Sequence, residues 1–205
     1  VANWVKRYGA EFTQELLIAN NTTPDFTVRV NTLKTSRSEL IELLHGEGIK
    51  AHEGKYLQEA LILENPSSIT KLDAFNKGLF QVQDESSMLS VKVLDPEQND
   101  TVVDVCSAPG GKSTFIGELM KNKGSVIARD VHEHKLGFVN EAAKRLGLDI
   151  IHTQLYDAAK LDDALIGTCP TSVAHLSATA TGGEGGYTYL WDNAGTLSSA
   201  TSATP

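Results

Sequence analysis

The chain has 205 residues, 40% of them apolar, and a formal net charge of -8 at pH 7. This length permits one large domain or two small ones with a real hydrophobic core. No apolar run approaches the roughly 20 residues of a membrane span, and the first residues form no apolar targeting segment, so a cytoplasmic protein without a membrane partner is expected. Cys106 and Cys169 are too few for a disulfide framework or a zinc site, so no metal is expected.

The first third of the chain predicts a small α+β module over residues 1–78. Apolar residues recur at helical intervals from Trp4 to Ile18, which indicates an amphipathic helix or two short ones. Residues 26–33 alternate apolar and polar side chains and predict a strand. Ser36 or Ser38 is expected to cap a following helix, and two short strands are predicted at 49–52 and 60–63.

The second part, residues 79–163, predicts a parallel sheet. A helix over 83–94 comes first, and the pattern then alternates strand and helix, which is typical of a βαβαβ unit with right-handed crossovers. The predicted strands are 102–105, 125–128 and 150–153, and the predicted helices are 112–120 and 133–145.

The last part, residues 164–205, differs in composition from the rest. All 18 Lys and Arg residues lie before it, and Thr, Ser, Ala and Gly dominate it. Tyr187, Tyr189 and Trp191 alternate with other residues between Gly-rich turns, a pattern typical of β structure. A β-rich or partly disordered tail is therefore predicted, because the 38 residues from Thr168 to Pro205 are too few to close a sandwich.

A Gly-rich turn joins a predicted buried strand to a predicted helix in the run VVDVCSAPGGKST, residues 102–114. Pro109, Gly110 and Gly111 force the turn, and the helix start brings backbone N–H groups to the carboxyl edge of the sheet. This arrangement predicts a site for an anionic or ribose-bearing cofactor. The turn lacks the G-x-G-x-x-G spacing of a dinucleotide site, and Cys106 stands where a phosphate loop needs its first glycine.

Two acidic residues follow the next two predicted strands. Asp130 lies about twenty residues after the glycines, where a carboxylate reaches the hydroxyls of a bound ribose. Asp157 follows the third strand and can accept a hydrogen bond from the exocyclic amine of an adenine. Two alternatives stay open, because Asp130 could be a solvated loop residue and Asp157 could cap the turn that follows it.

Several separated motifs resemble one family of enzymes. The sequence VQDESSML at 82–89, LDP at 94–96, the glycine turn, DVHEHKL at 130–136 and the following AAKRLGL are similar to the bacterial ribosomal-RNA (cytosine-5) methyltransferases of the Sun family. The sequence RVNTLKTS at 29–36 resembles the same family's small module. The resemblance runs from about residue 4 to residue 163.

The resemblance implies a Rossmann-like domain, of which this chain holds the first half, and S-adenosylmethionine as cofactor. It implies ribosomal RNA as partner, positioned by the small module. The oligomeric state stays open, with a monomer as the expectation. Its cofactor-binding residues would be Cys106, Ala108, Pro109, Gly110, Gly111 and Lys112, with Asp130 on the ribose and Asp157 near the adenine. A local basic patch for RNA would consist of Arg29, Asn31, Lys34 and Arg37, for which the alternative is a solvated face.

The family's reaction also implies two cysteines, one that adds to the cytosine ring and one that helps to release the product. They occur in Asp-Ala-Pro-Cys and Thr-Cys contexts, and neither segment is recognisable here. Cys106 belongs to the cofactor loop, and Cys169, which follows Thr168, is the only candidate left. The chain is therefore expected to be incomplete, with little or no turnover.

The tail resembles bacterial surface repeats of immunoglobulin-like type, which suggests a fusion or chimera. An upstream domain is also expected to be missing, because the chain starts inside a helix-like segment. Two other functions stay open: a non-catalytic RNA-binding or scaffold fragment, and a surface-adhesion protein, for which the tail alone argues.

Overall fold

The computed structural model describes residues 1–66 and 68–160, and the first of its two sheets is antiparallel. Val28 and Val30 point from the middle of this sheet into a core completed by Leu40 and Leu44 of a packed helix. The strand order is β2-β3-β1-β4. The elements of this part are α1 (Ala2–Tyr8), α2 (Ala10–Asn20), β1 (Phe26–Val30), α3 (Arg37–Gly46), β2 (Lys50–Glu53), β3 (Ala60–Glu64), a 3-10 turn (Ile69–Lys71), α4 (Asp73–Asn76) and β4 (Phe80–Val82).

Helix α3 begins with a capping box at Ser36. The backbone N–H of Glu39 donates to Ser36 Oγ at 3.3 Å, and the backbone N–H of Ser36 donates to Glu39 Oε2 at 2.8 Å. These bonds satisfy donors that a helix N-terminus otherwise leaves unpaired, and they hold the pKa of the Glu39 carboxyl below its ordinary value. Of the two predicted caps, Ser36 is the one used.

Replacing Ser36 with alanine should lower the free energy of unfolding by about 1 kcal/mol, because one side of the capping box is lost. Urea unfolding of S36A measures the change. Ser38, the second residue of the helix, is the control, since S38A should alter stability by less than about 0.5 kcal/mol. Equal losses in the two variants would contradict the assignment of Ser36 as the cap.

The second sheet is parallel, as predicted, with the order β5-β6-β7. Helix α5 leads into it, and α6 and α7 connect its strands. Its apolar face packs against α6 and α7 around Phe115, Val126 and Leu146, each of which is almost fully buried. The elements are α5 (Glu85–Leu94), β5 (Thr101–Asp104), α6 (Gly111–Leu119), β6 (Ser125–Asp130), α7 (Glu133–Leu146) and β7 (Ile151–Leu155).

Residues Val1–Ala158 form one compact unit in which polar side chains join the two sheets. Asn31 Nδ2, after β1, donates to the backbone oxygens of Gly78 and Leu146, each at 2.9 Å. Arg145 of α7 donates to the backbone oxygens of Phe75 at 2.9 Å and Phe80 at 3.0 Å. These bonds fix the small module against the parallel sheet.

The antiparallel sheet includes β4, so it extends slightly past the predicted boundary at residue 78.

In the part of the chain that the structure describes, no helix is both long enough and apolar enough to cross a bilayer. The predicted tail, residues 164–205, and Cys169 lie outside the described residues.

Candidate functional site

The glycine turn follows β5, and Asp104, the last residue of that strand, holds the turn in place through hydrogen bonds. Asp104 Oδ1 accepts a hydrogen bond from the backbone N–H of Cys106 at 3.2 Å, and Asp104 Oδ2 accepts from the Ser113 hydroxyl at 2.7 Å. The backbone N–H of Gly110 closes the turn on the oxygen of Ser107 at 2.7 Å. The carboxylate therefore joins the start of the turn to the first turn of helix α6.

Gly110 occupies a position that other residues fit poorly. Its φ of 106° lies in the left-handed region, and a Cβ there would come within 3.1 Å of the Val139 Cα in α7. Glycine adopts this conformation without a steric penalty and permits the close approach of α7. The turn runs through Ala108, Pro109, Gly110 and Gly111, as the sequence indicates, and α6 begins at Gly111.

The two predicted acidic residues, Asp130 and Asp157, line one cleft of about 340 Å³ at the carboxyl edge of the parallel sheet. Cys106 from the glycine turn and Tyr156 line the same cleft. Asp130 ends β6 and Asp157 follows β7. The parallel register of β5, β6 and β7 is what brings the turn and both carboxylates together.

The Asp130 carboxyl is held in its ionised form. The backbone N–H of His132 donates to Asp130 Oδ1 at 2.9 Å, and this bond is the main reason that the pKa of Asp130 is below its ordinary value. An ionised carboxylate accepts hydrogen bonds only. At neutral pH Asp130 can therefore accept bonds from hydroxyl groups of a ligand in the cleft.

A second cleft of about 290 Å³ lies on the other side of the turn and shares Cys106 with the first. Its walls come from the turn, including Lys112, and from the segment between β4 and α5, including Gln83. Two buried polar atoms close to this cleft, Gln83 Nε2 and Ser107 Oγ, have no hydrogen-bond partner among the residues described. Buried polar groups are usually paired, so this wall retains hydrogen-bonding capacity.

Two members of the predicted RNA patch, Arg29 and Asn31, lie in the interior, and for them the prediction is wrong. Both are fully buried, because the face of β1 that carries them is covered by the second half of the chain. Arg29 forms an ion pair with Glu118 of α6 at 2.8 Å. Neither side chain can contribute to an exposed basic surface.

The other two members, Lys34 and Arg37, are engaged by the protein itself. Lys34 Nζ donates to the backbone oxygens of Lys77 and Arg145, each at 2.9 Å, and burial together with the charge of Arg145 lowers the pKa of Lys34. Arg37 pairs with Glu53 at 2.7 Å in a cleft of about 570 Å³, where none of the predicted cofactor residues lies. Their contact with RNA stays a prediction.

Sequence reasoning missed Asp104 and Gln83. Asp104 ends its strand within the motif VVDV, and an acidic residue at a strand end beside a glycine turn is a signal that could have identified it. Gln83 lies far from the turn in sequence, and only the packing of α5 against α6 brings it there. Among the described residues there is no group of three or more His, Cys, Asp or Glu side chains that could hold a metal ion.

Two family models match the chain. Residues 1–70 match the model described as Methyltr_RsmF/B-like, ferredoxin-like domain. Residues 91–173 match the model described as 16S rRNA methyltransferase RsmB/F. The two matches correspond to the antiparallel module and to the part of the chain that contains the glycine turn and both acidic residues.

Curated relatives are similar over most of this chain. A probable ribosomal RNA small subunit methyltransferase B of Bacillus subtilis is 44% identical over 160 residues, which are 78% of this chain and 36% of that protein. A ribosomal RNA small subunit methyltransferase B of Proteus mirabilis is 36% identical over 144 residues, 70% of this chain and 34% of that protein. The chain thus spans about a third of the length of these relatives.

Solved structures share the fold. A methyltransferase homolog protein from Pyrococcus horikoshii superposes with a TM-score of 0.68 at 31% identity, covering 75% of this chain and 50% of that one. The structure of NSun6 from Pyrococcus horikoshii with SFG gives a TM-score of 0.71 at 23% identity, covering 76% of this chain and 64% of that one. The second similarity concerns the fold alone.

Proposed function

Because the chain belongs to the RsmB/F family of 16S rRNA methyltransferases, we propose that it binds S-adenosylmethionine for methyl transfer to a cytosine of ribosomal RNA. The observation that carries the proposal is the cleft shared by Cys106, Asp130 and Asp157 beside the glycine turn. The chain spans about a third of the length of these relatives, so methyl transfer by this chain is itself part of the proposal.

The residues present fit the proposed cofactor. The ribose hydroxyls are donors for the ionised Asp130, and the adenine amine is a donor for Asp157. The second cleft, reached past Cys106, offers Lys112 and the buried donor Gln83 Nε2 to the carboxylate at the other end of the molecule. An elongated ligand with donors at one end and an anion at the other matches this pair of clefts.

The bound cofactor would supply a methyl group carried on a positively charged sulfur. The part of the chain described here binds and orients that group, because the residues of the turn and the two acidic residues fix both ends of the ligand. Addition to the cytosine requires a thiolate, and neither the Asp-Ala-Pro-Cys nor the Thr-Cys segment of the family is recognisable in this sequence. We therefore expect cofactor binding with little or no turnover from this chain.

Ribosomal RNA would be the partner, and the cytoplasm the place of action. Residues 1–78 would help to position the RNA, and residues 79–163 would hold the cofactor. Lys34 and Arg37 are the members of the predicted basic patch that could still reach RNA, if RNA competes with their present partners.

Replacing Asp130 with alanine should weaken the binding of S-adenosylhomocysteine about 10- to 100-fold, since hydrogen bonds to a charged acceptor are lost. Isothermal titration calorimetry measures the dissociation constant. Glu141→Ala removes the same charge from an exposed position on α7 and should leave the affinity unchanged. Unaltered binding by D130A would remove the ribose assignment, and RNA retention on filters without any cofactor binding would favour a non-catalytic RNA-binding fragment.

A further inference from the structure

Arg29 uses every N–H of its guanidinium group inside the protein. Nε and Nη2 donate to the two carboxylate oxygens of Glu118 at 3.0 Å and 2.8 Å. Nη2 also donates to the Thr114 hydroxyl at 3.1 Å, and Nη1 donates to the backbone oxygen of Gly111 at 2.7 Å and to Gln83 Oε1. A guanidinium group has five such donors, and three of the five bonds are directed away from Glu118.

Two of those bonds reach residues that line the second cleft. Gly111 is the first residue of α6, and Gln83 comes directly before the N-cap of α5. Arg29 itself is fully buried and does not line the cleft. Any effect that it has on a ligand must therefore pass through Gly111, Thr114 and Gln83.

The contact also determines which way the Gln83 amide faces. Arginine can only donate hydrogen bonds, so the atom of Gln83 that faces it must be the oxygen. The amide nitrogen then faces away from Arg29, and it is buried without a partner in the described part of the chain. The wall beside the cleft thus holds an oriented donor, which suits an acceptor such as a carboxylate.

We propose that Arg29 is a positioning residue for the cofactor, acting from the antiparallel module through Gly111 and Gln83. This inference rests on the proposed function and extends it. The small module, besides its proposed role with RNA, forms part of the support of the cofactor site. Cofactor affinity should therefore depend on a residue that lies more than 80 positions before the turn and touches no ligand.

The decisive variant replaces both members of the ion pair, as R29M/E118L. Apolar residues of similar volume in place of a buried ion pair often leave stability unchanged, so the fold is kept while the bonds to Gly111 and Gln83 are lost. We expect the dissociation constant for S-adenosylhomocysteine to rise at least about 10-fold in a variant that urea unfolding shows to be folded. An unchanged dissociation constant would overturn the proposal.

A matched control is the pair Lys92 and Glu59. This pair lies near the ring of Phe115, as Arg29 does, but within the described residues it has no hydrogen bond to the turn. The K92M/E59L variant should bind the cofactor as the parent chain does. An equal loss of affinity in this variant would mean that any change around Phe115 disturbs the site, which would contradict a specific role for Arg29.

A second variant, Gln83→Glu, tests whether Gln83 donates a hydrogen bond to the cofactor or only fills space in the wall of the cleft. It keeps the volume and the bond from Arg29 but replaces the amide donor with an acceptor, so a purely structural role predicts unchanged affinity. We expect weaker cofactor binding, and unchanged binding would overturn the proposal that Arg29 acts through the Gln83 amide. This test remains decisive if the double variant fails to fold.

Hydrogen exchange separates this inference from the proposed function. A folded parent chain that binds no cofactor would refute the proposed function alone. The Thr114 amide, which donates to the backbone oxygen of Gly110 at 2.9 Å, should still exchange faster in R29M/E118L than in K92M/E59L, because the Arg29 bonds to Gly111 and Thr114 restrain this turn. Equal protection in the two variants would overturn the positioning role, whether or not the cofactor binds.

Discussion

Replacing Arg29 alone with methionine is expected to lower the free energy of unfolding by about 3–5 kcal/mol, because Glu118 is left charged and unpaired in the interior. Both side chains are almost completely buried and meet through two hydrogen bonds. Urea unfolding at neutral pH measures the loss. The R29M/E118L variant is the control, and it should recover most of the stability. A loss below about 1 kcal/mol in R29M would show that the pair contributes little.

The deficit of R29M should depend on pH. Burial raises the pKa of Glu118, and the charge of Arg29 opposes that rise; without Arg29 the pKa should rise further. A carboxyl whose folded pKa is raised binds more protons when folded, so its contribution to stability improves as the pH falls. The difference between R29M and the parent should shrink from about pH 8 towards about pH 5. A difference that does not change with pH would contradict a charged, unpaired Glu118.

Replacing Gly78 with alanine is expected to cost about 3 kcal/mol or more. Its φ is 70°, and an added Cβ would lie 1.9 Å from the backbone oxygen of Arg145. The left-handed conformation costs an ordinary residue about 1–2 kcal/mol, and overpacking adds about 1–3 kcal/mol. The clash would push the chain around Gly78 away from α7 and would disturb the bond from Asn31 to the Gly78 oxygen. Urea unfolding measures the cost.

Gly48 provides the matched control for Gly78. Its φ is 80°, but a Cβ there would meet nothing within 4 Å. The G48A variant should therefore show only the conformational cost, about 1–2 kcal/mol, and its difference from G78A isolates the steric effect. Equal losses in the two variants would contradict the close contact between Gly78 and α7.

Much of the fold was predictable because its signals are local. The strand and helix patterns from 102 to 153 predict the three parallel strands in their observed order, since short βαβ crossovers place successive strands side by side. The polar side of β1 was misread for a physical reason. Alternation places Arg29 and Asn31 on the face opposite Val28 and Val30. In an antiparallel sheet the polar face is commonly exposed to solvent. Here that face packs against α6 and α7 instead.

The candidate site, like the fold, has one part that the sequence predicts and one part that it does not. The cleft containing Asp130 and Asp157 follows from strand order, so the sequence could indicate it from spacing. The contacts of Gln83 and Arg29 with the turn join residues separated by 28 or more positions and depend on how two modules pack. No periodicity in the sequence carries that information, and only the three-dimensional structure places them.

We propose that this chain binds S-adenosylmethionine in the cleft between the glycine turn and the acidic residues Asp130 and Asp157. Calorimetric titration of the 205-residue chain with S-adenosylhomocysteine, with ATP as the comparison ligand, tests it most directly. Both ligands carry adenosine, but only the first carries the amino-acid end expected in the second cleft. We expect one saturable site for S-adenosylhomocysteine and much weaker binding of ATP. A folded chain that binds neither ligand, or binds ATP equally well, would contradict it.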